Sequence, residues 1–123
     1  MNNFSLTPDQ LDVQARARAF AREEVAPLAR EADDSGVFPI QLVRRMGELG
    51  FLAGTLPPEH GGSGMDYLSY TLISEELGWA DSSVRGFLGV HGSLVTLCIH
   101  DWGTDEQKAK YLPRLASNHG CTA

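Results

Sequence analysis

Few side chains in this sequence could do chemistry, and their spacing mostly rules it out. Asp33-Asp34 and Glu75-Glu76 are adjacent carboxylates of the kind used for acid–base work. Neighbouring helical residues point about 100° apart, so neither pair can converge on one substrate; solvated helix faces are the expected role. His60, His91, His100 and His119 are too scattered along the chain to read as a zinc set. Ser93 lies two residues from His91, and positions two apart on a helix do not face each other. The glycines at 61, 62 and 64 invite comparison with a phosphate loop, but no strand precedes them and no Lys-Ser/Thr pair follows. Cys98 stands in an apolar run and is expected to pack as a small hydrophobe. With Cys121 it makes neither a disulfide framework nor a metal site.

The elements that must hold these residues are helical. Thr7-Pro8-Asp9-Gln10 is a helix start: Thr7 can cap, Pro8 fits the first helical position and Gln10 completes a capping box. The helix should run to Asp34, with a kink at Pro27, which lacks an amide hydrogen. Pro39 opens a second helix with Ile40, Val43, Met46 and Gly47 on one side, closed by Gly50. Leu56 to Gly64 is a loop, punctuated by prolines and glycines. Asp66 can cap a third helix from Tyr67 to about Ala80, with Leu68, Leu72 and Ile73 buried. Asp81 can cap a fourth that reaches about His100, and Gly103 closes it. Thr104 to Gln107 is a second capping box, for a fifth helix that Pro113 should bend. The first 116 residues lack the period-two alternation of a strand.

The fourth helix is unusual. Val84, Phe87, Leu88, Val90, Leu94, Val95, Leu97, Cys98 and Ile99 cover an arc of roughly 200° at helical pitch. The rest of the wheel holds Arg85, Gly86, Gly89, Gly92, Ser93 and Thr96, mostly small residues. A wide apolar arc marks a central, buried helix. The small face has two readings: tight helix packing, or close approach by a bound acyl group.

Composition sets the outer bounds. A chain of 123 residues suits one domain, which can bury roughly two-thirds of its unfolded surface. With 42% apolar and 21% charged residues it is globular rather than disordered. A net charge of −6 argues against nucleic acid and suits anionic lipid poorly. No consecutive run approaches the roughly 18 apolar residues of a membrane span, and the N-terminus has no secretory pattern. A cytoplasmic location is the expectation, with no nucleic acid partner and no membrane insertion.

Several segments together resemble the N-terminal domain of acyl-CoA dehydrogenases. They are Phe38-Pro39, Met46-Gly47-Glu48-Leu49-Gly50, the run Pro58 to Gly64, Glu75-Glu76-Leu77, His91-Gly92-Ser93-Leu94, Trp102 to Lys108, and Lys110-Tyr111-Leu112-Pro113. The resemblance implies an all-α fold, an orthogonal bundle of about five or six helices over residues 1–116. Residues 117–123 would then begin the connection to a middle β domain that the sequence does not contain, as it does not contain the family's C-terminal helical domain. It also implies the family chemistry. FAD sits between those two other domains, a glutamate in the last removes the α proton of an acyl thioester, and the flavin takes the β hydride. The family's members form homo-oligomers, and the thioester could be on coenzyme A or on an acyl carrier protein.

No catalytic residue or flavin ligand carries over to this chain. Family pocket residues fall on Val90, His91 and Leu94, which lie within about 100° on an ideal wheel and so could face one cavity. The alternative for all three is ordinary core. In glutaryl-type members an arginine near Arg85 holds the substrate's distal carboxylate. Arg85 points about 180° from Leu94 on the same wheel, and a solvated arginine in a first turn is unremarkable. A stand-alone helical module that pairs with another polypeptide is the competing function. Alone, the domain should be marginally stable or self-associating, because its partner faces would be exposed apolar patches.

Overall fold

The computed structural model describes residues 4–117, which form helices and loops without strands. The expected connection beyond Ser117, with His119 and Cys121, lies outside the described residues. The first helix comprises α1 (Pro8–Phe20), a wide π turn (Ala21–Val25) and α2 (Ala26–Ser35). It starts as expected: Thr7 Oγ1 accepts from the Gln10 amide at 3.3 Å and Gln10 Oε1 accepts from the Thr7 amide at 3.0 Å. The expected kink at Pro27 takes a specific form. The Ala26 amide reaches back five residues to the Ala21 carbonyl, one residue before the proline ring. The wide turn gives Pro27 room where the ordinary pattern would press its ring on the carbonyl four residues back.

The second helix, α3 (Gln41–Glu48), ends in a paired Schellman closure. Phe51 N–H donates to Met46 O at 2.8 Å and Gly50 N–H to Gly47 O at 3.0 Å, with Gly50 at φ 76°. Leu42, Val43 and Met46 are its buried residues; Ile40, expected on the same side as Val43, precedes the helix and is 61% exposed. The following loop is more deeply packed than its glycine and proline content suggested. Phe51, Leu52, Ala53 and Leu56 are buried, and Pro58–His60 make a short 3-10 turn. Gly62 is obligatory there, since a Cβ would lie 1.9 Å from Leu56 O.

α4 (Tyr67–Ala80) begins at Asp66, whose Oδ1 accepts from Ser69 N–H at 2.7 Å. It runs parallel to α1: Gln10 bonds Asp66 at one end and Arg18 bonds Glu76 further along. Leu72 and Ile73 are buried as expected, but Leu68 is not, being turned outward on the first turn. Nor is Glu75-Glu76 a uniformly solvated pair. Glu75 is exposed, whereas Glu76 is buried and accepts twice from Arg18, at 3.0 and 2.8 Å. A guanidinium fork makes that burial tolerable. The main core joins Val13, Ala17, Phe20 and Val25 to Val43, Met46, Phe51, Ile73, Leu77, Val84 and Leu88.

The next rod comprises α5 (Ser82–Gly89), a π segment (Val90–Thr96) and α6 (Leu97–Trp102). Asp81 Oδ1 caps it, accepting from the Ser83 and Val84 amides. By length and mean hydropathy, 21 residues at 1.2, it meets the minimum for a membrane span, which a search for an unbroken apolar run misses. Its Val84, Leu88, His91 and Thr96 are engaged in the bundle. α7 (Asp105–Ser117) has the expected Thr104–Gln107 capping box and carries Pro113 within it. Leu112 and Ala116 pack with Ala53 and Leu56 in a second small core.

Candidate functional site

The site that the sequence suggests lies on the π segment of the fourth rod. The helix is wider here than an ideal wheel assumes, because the Leu97 amide reaches Gly92 O, five residues back, but what divides the three residues is burial. The structure therefore corrects the expectation that Val90, His91 and Leu94 share one cavity-facing arc. Val90 and Leu94 do lie outward, 46% and 66% exposed. His91 points the other way and is fully buried. Its ring stacks on Phe87 at 5.5 Å and its Nε2 lies 2.8 Å from Leu115 O, which ties the rod to α7. That bond requires Nε2 to carry a proton and donate. Burial pushes the imidazole below its ordinary pKa, against a smaller upward pull from the Leu115 carbonyl.

Ser93 lies beside Leu94 on the outward side and is also exposed. The open face is therefore Val90, Ser93 and Leu94: two branched apolar side chains around one hydroxyl. Cys98, expected to be packed, is exposed as well, because the apolar arc of this rod is wider than the bundle can cover. Such a face offers no acid, base or nucleophile of its own. It can offer shape and an apolar contact surface to a ligand or a partner segment.

Arg85 is not part of that face. It is exposed on the first turns of the rod, and its aliphatic stem crosses Gly78 of α4, where a Cβ would lie 2.8 Å from Arg85 Cδ. Glycine at 78 is what lets the arginine lie flat there.

Sequence reasoning missed the residues that shape the π segment. Tyr70 on α4 donates its hydroxyl to Leu88 O at 3.1 Å, and Thr96 Oγ1 donates to His91 O at 2.7 Å. Burial pushes the Tyr70 phenol above its ordinary pKa, opposed by a hydrogen bond with Ser93. The available signal was a glycine, Gly92, opposite an aromatic hydroxyl: a Cβ there would lie 2.6 Å from Tyr70 Oη.

Four clefts elsewhere carry carboxylates that suit an anionic ligand poorly. The cleft between the α2–α3 connection and the start of α5, about 420 Å³, is lined by Asp33 and Asp81 with Phe38 and Pro39. Its neighbour along α2 includes Glu31, and the shallow hollow beside Pro27 has Glu31 and Asp34 with Arg30. The cleft between α1 and the 63–66 loop has Asp9, Asp12 and Asp66 around Arg16. No group of three metal-ligating side chains occurs among the described residues.

Comparison with known proteins agrees with this architecture. Residues 7–119 match the family model "Acyl-CoA dehydrogenase, N-terminal domain". The chain is 42% identical over 115 residues to the probable acyl-CoA dehydrogenase YngJ of Bacillus subtilis, covering 94% of this chain and 30% of that protein. It superposes with a TM-score of 0.87 and 36% identity on glutaryl-CoA dehydrogenase of Mycobacterium smegmatis in complex with FADH2, covering 91% of this chain and 29% of that one. Butyryl-CoA dehydrogenase of Megasphaera elsdenii gives 0.85 and 34%, with 94% and 31% covered. The chain thus spans about a third of the length of these relatives, and it belongs to the acyl-CoA dehydrogenase N-terminal domain family.

Proposed function

We propose that this chain is the substrate-walling helical domain of an FAD-dependent acyl thioester dehydrogenase, and that it is inactive by itself. The observation that carries the reading is the outward pair Val90 and Leu94, exposed on a rod whose other side is buried in the core. In a domain related to butyryl- and glutaryl-CoA dehydrogenases, such a pair suits the flank of an acyl chain. Apolar contact of this kind discriminates chain length by about 1–3 kcal/mol per methylene. His91 supports the wall from behind, stacked on Phe87 and bonded to α7, rather than touching substrate.

The cofactor belongs to domains beyond this segment. The four clefts described above are poor seats for a pyrophosphate, because each presents carboxylates to it. When bound elsewhere in the enzyme, FAD would supply the acceptor for the β hydride. This chain's contribution is to orient the acyl chain and exclude water from one side of it. Family-type assembly into homo-oligomers would rest largely on the other domains.

The direct test is a full-length protein carrying this domain. Adding a saturated acyl-CoA without oxygen should bleach the flavin absorbance and yield the enoyl thioester. An unbleached flavin with every acyl length tried would sink the reading. A carboxylated acyl group is the second possibility, favoured by the likeness to a glutaryl-CoA dehydrogenase. It would call on Arg85, whose guanidinium can bind a carboxylate bidentately. Its position across Gly78, away from Leu94, favours the plain aliphatic chain.

A further inference from the structure

The wall is set by a hydroxyl on a different helix. Tyr70 Oη donates to Leu88 O at 3.1 Å, two residues before the π segment begins. The same oxygen lies 2.6 Å from where a Gly92 Cβ would be, the nearest obstacle to a side chain there, with Leu52 O next at 3.1 Å. The ring is confined as well, since a Cβ on Gly54 would meet Tyr70 Cδ2 at 2.9 Å. One side chain thus touches the last ordinary turn and the wide turn that carries the outward face. Thr96, bonding His91 O at 2.7 Å, closes the far end of the same segment.

We propose that Tyr70 is a positioning residue for acyl-chain specificity. Its hydroxyl fixes where the helix widens, and thereby how far Val90 and Leu94 project into the substrate space. This rests on the acyl-wall reading, and it adds a residue that does not touch substrate. Tyr70→Phe keeps the ring in its slot and removes only the hydroxyl, so the bundle should persist while the wall loses its stop. Gly92→Ala approaches the same point from the other side, by pushing the hydroxyl away.

The experiment uses the full-length enzyme carrying this domain, with saturated acyl-CoA substrates of increasing length. Tyr70→Phe should raise KM about fivefold for the longest chain accepted, as loss of one hydrogen bond allows. The change for the shortest chain should be less than about twofold, with kcat held within the same margin. Amide hydrogen exchange should quicken over residues 88–96 and stay unchanged in α7. Gly92→Ala should reproduce both effects, and the double variant should be no worse than Gly92→Ala alone, because the phenylalanine removes the closer of the two contacts and leaves only Leu52 O at 3.1 Å. Equal KM changes at all lengths, or unchanged exchange over 88–96, would overturn the proposal. A length profile that also ignores Leu94→Phe would instead bring down the acyl wall itself, even where the exchange still quickens.

Discussion

Acid should destabilise the domain through His91. The imidazole is fully buried, stacked on Phe87, and donates to Leu115 O, so the folded state holds it neutral with its pKa below the ordinary value. An unfolded histidine titrates near about 6.5. Above that pH both states are neutral and the full stability is present. As pH falls below it, the unfolded chain binds a proton that the folded one refuses, and stability drops towards the depressed folded pKa. One such group can cost at most about 1.4 kcal/mol per pH unit. Between pH 7.5 and 5.5 the loss attributable to His91 should therefore be at most about 1.4 kcal/mol. The control is His91→Gln, whose amide nitrogen can replace Nε2 without titrating. Urea unfolding of both proteins at pH 7.5, 6.5 and 5.5 gives the difference, in which groups common to both proteins cancel. Glu24, held below its ordinary pKa by the hydrogen bonds from Arg45, and Asp66, held down by the Ser69 amide, lose their contributions at lower pH. Identical slopes for wild type and His91→Gln would show that the folded state does not resist the proton, and the buried, neutral placement would be wrong.

Other outcomes follow from the same geometry. Thr104→Ala removes the cap on α7 and should destabilise the domain by about 1 kcal/mol in denaturant titration, with Thr104→Ser close to wild type. Arg85→Ala in a full-length enzyme should leave kcat/KM for plain acyl thioesters unchanged; a selective loss on dicarboxylic substrates would establish the second reading of that residue. The isolated chain should purify colourless and bind no flavin by absorbance titration, and a near-equimolar yellow complex would show a cofactor site within this domain.

Local chemistry made much of the fold legible from the sequence. Thr7, Asp66, Asp81 and Thr104 each mark a helix start by a capping bond that depends on neighbours within three residues, and all four form. Gly50 announced the closure of α3 for the same reason. What escaped was set at long range. Glu76 looked like half of a solvated pair because Arg18, its partner, lies 58 residues away. Phe51 and Leu52 sit in no helix, so no periodicity showed that they were core.

The site was half legible for a related reason. The sequence proposed this rod for the site, and the structure shows two of its named residues, Val90 and Leu94, exposed. It placed His91 with them because a wheel shows directions and not the Phe87 ring and Leu115 carbonyl that hold the imidazole inside, and it shows no widening of the pitch at Val90. That widening is stabilised by Tyr70, from another helix, and by Thr96, whose hydroxyl reaches back five residues. A wheel contains neither partner. Ile40, Leu68 and Cys98 failed in the simpler sense that an apolar residue on a helix need not face the core when the domain has more apolar surface than it can cover.

Leu94 offers the most direct measurement. In a full-length enzyme carrying this domain, Leu94→Phe should shorten the acyl chain that fits, lowering kcat/KM for the longest substrate about tenfold while sparing the shortest. Leu68→Phe, equally conservative and exposed on α4, should leave the length profile alone. A profile unmoved by Leu94→Phe, or moved as much by Leu68→Phe, would contradict the assignment of this face to the acyl chain.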